Sequence, residues 1–298
     1  VRQSQPLKVG AVIITMGNRP DDLRALLESV AKQDGDPIET VVVGNGAPVT
    51  GVEDFPFVRT VDLPENLGIP GGRNVGIEAF GAHGQDVDVL LFLDDDGLLP
   101  NTDTAELARA AFADDPELGI ISFRIADPET GLTQRRHVPR LRSSDPMRSS
   151  RVTTFLGGAN AVRTKVFAEA GVLPGEFFYA HEETDLAWRA LDAGWLIDYR
   201  ADMVLFHPTM PPSRHATYHH NVARNRVWLA RRNLPAPLVP VYPGVWMLLT
   251  LARRPSGPAL KAWFAGFKEG WKAPCGPRRP MKWHTVWRLT RLGRPPVI

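Results

Sequence analysis

The chain has one cysteine, Cys275, in 298 residues. That excludes a disulfide framework and any zinc site built on paired cysteines. No apolar run approaches the roughly 18 residues of a membrane-spanning helix, and no internal repeat or low-complexity tract is present. Val1–Lys8 is polar and lacks the apolar core of a secretory signal, so a cytoplasmic protein is expected. Acid is scarce in one region only. From His207 to Ile298 a single acidic residue, Glu269, stands against 16 Lys and Arg. The overall charge of +2 thus divides into −13 over residues 1–206 and +15 over 207–298. Six of the eight Trp also lie in that basic stretch. Elsewhere charged and apolar residues intermix, and 43% of the chain is hydrophobic. A chain of this size buries a sizeable core unaided and is not disordered.

Lys8–Thr15 is a continuous apolar, β-rich run and reads as a buried strand, and Ile38–Val43, Phe57–Asp62, Val87–Leu93 and Leu118–Ile125 read as further strands. Helical spacing marks Asp21–Ala31, Pro70–Phe80 and Thr102–Asp114 between them. This alternation predicts an α/β protein with a mostly parallel central sheet flanked by helices. Ligands of such sheets lie at the carboxyl ends of the strands. Three polar loops fall there, after Ile14, Val43 and Leu93. Further on, Asp127–Arg151 is polar and Arg-rich. It reads either as a lid carrying Arg135, Arg136, Arg140, Arg142, Arg148 and Arg151 towards an anion, or as a solvated loop. Thr153–Leu156 is expected as a strand, with Gly157-Gly158-Ala159-Asn160 turning into a helix near Lys165. Glu182–Ala193 and Thr217–Arg232 are expected as helices, and Trp195–Tyr199 and Met203–Phe206 as two short strands.

Asp94-Asp95-Asp96 directly follows an apolar strand. Asp94 and Asp96, as alternate residues of an extended segment, can share a divalent ion. The alternative is an acidic loop capping the next helix. The glycine-rich stretch Pro64–Asn74 leads into a helix, and Arg73 can pair with a phosphate; a tight turn explains the glycines equally well. His181-Glu182-Glu183-Thr184-Asp185 opens a helix. Its carboxylates either raise each other's pKa for general-base work or answer the helix dipole. His207 ends a short apolar strand, and Arg224 and Arg226 lie on the helix that follows; each alone is also compatible with an ordinary core or surface role.

Four segments, in this order, resemble the family 2 inverting glycosyltransferases: VGAVIITMGNRPDDLRALLESV, ENLGIPGGRNVGI, LFLDDDGLLP and FLGGANAVRTKVFAEAGVLPGEFFYAHEETDLAWRALDAG. The rhamnosyl- and galactofuranosyltransferase-like branch is nearest. The resemblance covers about residues 8–232 and implies the Rossmann-like GT-A fold. It also implies a donor pocket formed by Thr15, Asn18, Asn45, Asn66, Gly71, Gly72, Arg73, Asn74, Asp94, Asp95 and Gly158. Asp94-Asp95-Asp96 takes the place of the DXD element, with Asp94 and Asp96 joined by His207 around Mn²⁺ or Mg²⁺. Glu183 falls at the catalytic base, with Glu182 and Asp185 as alternatives. Two departures stand out. The family commonly has Asp-Asn-Gly-Ser after its second strand, where this chain has Gly44-Asn45-Gly46-Ala47, and the base position holds Glu rather than Asp. The implied activity is transfer of a sugar from a UDP- or dTDP-sugar to a hydroxyl, on a glycan or polyprenyl-linked acceptor of the cell envelope. A non-catalytic binding protein on the same fold is the second reading, prompted by the acid missing at Gly44. A nucleic-acid binder leaves the acid clusters unexplained, so no nucleic-acid partner is expected.

Composition divides the chain into a catalytic domain, 1–232, and a basic, Trp-rich helical extension, 233–298. Leu238–Ala252 is apolar but broken by Pro240 and Pro243, too short to span a bilayer. Trp263, Trp271, Trp283 and Trp287 follow among many Arg and Lys. They are expected either to anchor the protein peripherally to an anionic inner membrane face, or to pack the extension onto the catalytic domain.

Overall fold

A computed structural model describes residues 6–141, 145–208 and 216–298. Arg142, one of the arginines assigned to the lid, lies outside them. The first half is built from β1 (Val9–Thr15), α1 (Pro20–Ala31), β2 (Glu39–Asn45), β3 (Val58–Leu63), α2 (Gly68–Glu78), β4 (Val89–Asp94), α3 (Thr104–Asp114) and β5 (Leu118–Ala126). Then come β6 (Ser150–Arg151), β7 (Ala159–Arg163), α4 (Thr164–Ala170), α5 (Glu182–Asp192), β8 (Leu196–Phe206), α6 (Ala216–Asn233), α7 (Val241–Ala252), α8 (Gly257–Lys272) and α9 (Trp283–Arg291). The strands form one eight-stranded sheet in the order β3-β2-β1-β4-β7-β5-β8-β6.

The apolar runs become strands because the sheet is covered on both faces. Alternate residues point opposite ways. Val12, Leu90 and Phe92 therefore join one core with Ile77, Phe167, Leu186 and Trp228. Ala11, Ile13, Leu91 and Leu93 join the other, with Leu23, Leu26 and Leu27 of α1 and Ala108 and Phe112 of α3. Parallel pairing links β3-β2-β1-β4 and β5-β8, whereas β7 runs antiparallel between β4 and β5. The chain moves from β1 to one side and returns for β4 on the other. The crevice between the carboxyl ends of β1 and β4 is thus the switch point where ligands of open α/β sheets bind.

Three expectations change. Thr153–Leu156 is not a strand; pairing starts at Ala159, because Asn160 and Ala161 meet both β4 and β5. Trp195–Tyr199 and Met203–Phe206 are one strand, β8. The register jumps from Arg200 to Val204 opposite consecutive residues of β5, and the Arg124 side chain donates to the Ala201 carbonyl inside that irregularity (3.0 Å). A polar bulge reads as a break in an apolar pattern. Within Asp127–Arg151, most guanidinium groups that the structure describes bond within the segment or to the body rather than pointing outward. Arg135 donates to the carbonyls of Arg140 and Leu141, Arg140 to Ser150 Oγ, and Arg151 to Asp115 and Asp198.

The chain after residue 232 continues the packing of the body. Tyr242, Cys275, Met281, Val286 and Leu289 belong to the same core as Trp188 and Leu191. α8 lies tight on α6 because Gly266 and Gly270 allow it: a Cβ at Gly266 would stand 2.0 Å from the His220 carbonyl oxygen. Trp228 and Trp263 are buried, so Trp263 is no surface anchor, while Trp271, Trp283 and Trp287 are 40%, 52% and 62% exposed. Among the described residues no helix is long and apolar enough to cross a membrane.

Asp185 fastens α5 to α6. Its buried carboxylate accepts from Arg189 (2.8 Å), Arg232 (3.0 Å) and Asn233 (2.7 Å). Burial pushes its pKa up, but the two guanidinium groups and Asn233 outweigh that and hold it below the usual carboxylate value. Asp185→Ala leaves two buried guanidinium groups short of their counter-charge. The expected cost is about 3–5 kcal/mol of stability, read in denaturant melts; a midpoint near the parent's contradicts this role.

Candidate active site

The three aspartates sit in a tight turn rather than an extended segment: Gly97 N–H donates to the Asp94 carbonyl (2.8 Å). Their side chains therefore diverge. Asp94 accepts from Arg73 Nη2 (3.2 Å). Asp95 accepts from Thr15 Oγ1 (2.7 Å). Asp96 faces His207 Nε2 (3.1 Å) and Arg19. Burial raises Asp95 above the usual carboxylate pKa. Burial also acts on Asp96, but His207 and Arg19 outweigh it and keep Asp96 low. His207 is brought there by backbone pairing of Leu98 with Phe206 (2.9 and 2.8 Å), which ties the acidic turn to the end of β8.

Asp94, Asp96 and His207 were expected to converge on one cation. Among the described residues, no group of three His, Cys, Asp or Glu is arranged to hold a metal. Asp94 is drawn away by Arg73, leaving Asp96 and His207 as a pair. That pair fits a divalent cation. His207 Nδ1 lies 2.9 Å from the Pro208 carbonyl, which directs the Nδ1 proton there and leaves Nε2 bare in the neutral ring. A bare nitrogen facing a carboxylate at 3.1 Å needs a proton or a cation between them. Two protein ligands suffice where diphosphate oxygens and water complete the shell.

Arg73, 4% exposed, joins the two acidic clusters. Its Nη2 meets Asp94, and its Nη1 lies 3.6 Å from Glu183 Oε1 at the start of α5. The Gly157-Gly158 turn makes room. A Cβ on Gly158 would stand 1.8–2.0 Å from the Asp94 carboxylate, and one on Gly157 2.0 Å from Glu183 Oε1. Burial pushes Glu183 up while Arg73 pulls it back, and burial together with Glu183 pushes the neighbouring Glu182 well above its usual value. Environments that separate two adjacent carboxyl groups assign them different roles. Glu183, beside the guanidinium, ionises first; Glu182 keeps its proton. Asp185, the third acid considered for the base, is fully buried in its arginine clasp, away from this cleft.

The remaining expected donor residues divide. Thr15 and Gly158 touch the acids directly, and Asn18 is exposed in the β1–α1 loop. Asn45 bonds Leu67 N–H (2.9 Å) and the Gly68 carbonyl (3.0 Å), and Asn66 accepts from Gly68 N–H (2.8 Å), so both shape the loop. Gly71 and Gly72 lie inside α2, with Gly72 packed on Asn45 and Ile14. Asn74 exchanges two hydrogen bonds with Leu173 and is a structural clasp. No site role was expected for Arg19, Gly157 or His181. Arg19 carries a signal, a cation in the loop after the first strand, facing the strand-end acids.

Glycosyl transferase family 2 matches residues 11–171, the segment that runs from within β1 through α4 and includes the acidic turn. The chain belongs to this family. No curated protein matches the sequence. Among solved structures, S. aureus TarS 1–349 is similar at 18% identity with a TM-score of 0.60, over 89% of this chain and 81% of that one. The chain spans 39% of the longer TarS chain that it also matches. GalNAc-T7, crystallised with UDP, GalNAc and Mn²⁺, aligns over 90% of this chain and 56% of its own at 13% identity and TM-score 0.63. The Pyrobaculum calidifontis mannosyltransferase PcManGT, in complex with GDP-Man and Mn²⁺, aligns over 97% and 85% at 17% identity and TM-score 0.56. These likenesses show the GT-A fold.

The proton on Glu182 has a measurable consequence. The folded protein retains it, whereas the unfolded chain releases it above about pH 4.3. Stability therefore falls with rising pH from there until Glu182 ionises in the folded state. Glu182→Gln removes that loss. The variant is expected to gain on the parent as pH rises above about 4.3, by up to about 1.4 kcal/mol per pH unit, in urea melts. A difference that stays constant over this range contradicts the assignment.

Proposed function

We propose that this family 2 member is an inverting, metal-assisted transferase. In this reading it moves a hexosyl unit from a nucleoside-diphosphate sugar to an acceptor hydroxyl. The observation that carries the reading is the Arg73 bridge, which sets Glu183 beside Asp94 within one cleft at the switch point of the sheet. Neighbours that hold UDP-GlcNAc or GDP-Man support a nucleotide-sugar donor, and those crystallised with Mn²⁺ support a divalent ion. The four sequence segments favour a rhamnosyl- or galactofuranosyltransferase-like substrate, with an acceptor from cell-envelope glycan assembly.

Asp96 and His207 would hold the cation, which when bound supplies Lewis-acid neutralisation of the leaving diphosphate. Thr15 and Asp95 floor the crevice, and Asp94, steadied by Arg73, is the acid left to orient the donor's ribose. Glu183 takes the proton of the attacking hydroxyl. Its burial-raised pKa brings it nearer the working pH, where a general base is most effective, and Arg73 keeps it ionised. Attack from the face opposite the leaving group inverts the anomeric carbon. The division at residue 232 separates this machinery from a helical extension that packs on it.

Glu183→Gln preserves size but cannot accept a proton. Turnover is expected to fall on the order of 10²-fold or more, with donor binding little changed, whereas Asp96→Ala should abolish Mn²⁺-dependent nucleotide binding in a folded protein. Near-parental turnover in the first variant would move the base elsewhere. Unchanged metal dependence in the second would remove the cation from Asp96.

The extension is read as a peripheral membrane contact as well as a packed element. Exposed Trp271, Trp283, Trp287 and Leu248 accompany Lys268, Lys272, Arg288 and Arg291. Trp prefers the headgroup region, and each basic residue near an anionic leaflet is worth about 1 kcal/mol. The full chain is expected to co-sediment with phosphatidylglycerol vesicles at low salt and to be released by high salt. A protein left in the supernatant at low salt contradicts this contact.

A further inference from the structure

The arginines of α6 have unequal surroundings. Arg224 donates to the Phe177 carbonyl and meets Glu269, Arg231 donates to the Gly270 and Ala273 carbonyls, and Arg232 to Asp185 and Cys275. Arg226 has no such partner among the described residues. Its guanidinium lies over the Trp246 ring, 3.3 Å from the centroid, and Arg253 approaches the same ring at 5.7 Å. Arg294, in the segment after α9, is within electrostatic reach of Arg226 and likewise has no side-chain acceptor among the described residues. Burial lowers Arg226 to about 10, so it remains a cation at neutral pH.

Asn225, next to Arg226, donates to the Tyr179 and Ala180 carbonyls (2.8 Å each), which brings His181 up to α6, and two further polar atoms here lack partners. Trp246 Nε1 and His181 Nε2 are both buried without a hydrogen bond among the described residues. Burial, reinforced by Arg226 and Arg294, pushes His181 well below its usual pKa, so the ring is neutral there. His181 also holds a left-handed backbone (φ 72°), as does Ala180 before it (φ 74°), a conformation that costs energy in a residue with a Cβ. Two cations, an indole N–H and an imidazole are thus gathered with no counter-charge. The deficit is of negative charge and of acceptor oxygens. A phosphoryl group supplies both, and guanidinium forks match its geometry.

The location decides what carries that group. His181 immediately precedes Glu182 and Glu183. Tyr179, within electrostatic reach of both glutamates and of Asp94, stacks edge-on with Tyr218 at 6.1 Å, and Tyr218 in turn lies near Arg226. The cluster therefore borders the base from the side of the carboxy-terminal helices, whereas the donor side is held by Asp96 and His207. We propose that Arg226, Arg294, His181 and Trp246 form a subsite for a phosphate or diphosphate group carried by the acceptor. The word acceptor rests on the transferase reading; the anion site itself does not.

The test is calorimetric titration of the full chain with inorganic pyrophosphate in EDTA, so that no divalent ion bridges the probe to Asp96. Binding is expected, weakened about tenfold or more by Arg226→Gln and by Arg294→Gln, and retained by Asp96→Asn. Arg294 lies outside the helices, in the segment after α9, so its variant keeps the test usable if Arg226→Gln fails to fold. Geranyl diphosphate should compete with pyrophosphate, and phosphatidylglycerol vesicles should not. Absence of binding, or binding lost in Asp96→Asn and kept in both arginine variants, overturns the subsite. Displacement by the vesicles assigns the cluster to lipid headgroups and overturns the acceptor assignment. None of these readouts requires turnover, so an inactive protein that binds pyrophosphate in this way would refute the transferase reading and leave the anion site standing.

Discussion

A buried guanidinium must be matched by carboxylates, and Arg73 is matched by two that come from distant parts of the chain. Asp94 ends a central strand and Glu183 opens a helix after β7 and α4, yet one side chain contacts both. Removing either carboxylate would leave charge uncompensated in a poorly solvated place, where the penalty is large. The cleft's form follows from this bridge. The glycine pair at 157 and 158 lets the two carboxyl groups approach, and α2, which carries Arg73, must lie close on β1 and β2.

Around that bridge the acids are distributed so that no two share a role. Asp94 is matched to Arg73, Asp95 to a hydroxyl, Asp96 to His207 and Arg19, and Asp185 to two arginines in the core. Glu182 has no cation in contact, and burial beside Glu183 holds its pKa well above the usual carboxylate value. Six acids in two short motifs therefore stand in six different surroundings. The positive side of the molecule is divided in the same manner. Arginines of α6 bond to carbonyls and carboxylates, except Arg226, which stacks on an indole.

Much of this was legible from sequence. The strand and helix boundaries up to Ala126 sit within two residues of where apolar runs and helical spacing place them, because a sheet covered on both faces is written largely in Val, Ile and Leu. The acidic turn, the Gly-Gly turn and the glutamates were legible as motifs. Their directions were not. Whether Asp94 and Asp96 point together depends on a turn closed by a backbone hydrogen bond, and whether Asp185 is a base depends on two arginines, one of them 47 positions away. Asn74, Gly71 and Gly72 look like ligand-loop residues in sequence; their partners are Leu173, Leu67 and Asn45, contacts made by folding. The antiparallel β7 and the bulge in β8 escaped because local pattern carries neither strand direction nor an irregularity filled by a distant arginine. In the extension, composition could not sort Trp263, which packs, from Trp283 and Trp287, which do not.

The central claim is that the Asp94–Asp96 turn and Glu183 act on one sugar from opposite faces, which fixes the stereochemistry. Proton NMR of the first-formed product, with whichever α-linked nucleotide sugar raises the melting temperature in the presence of Mn²⁺, reads that directly. The account predicts a β-configured glycoside. An α-configured first product would contradict it.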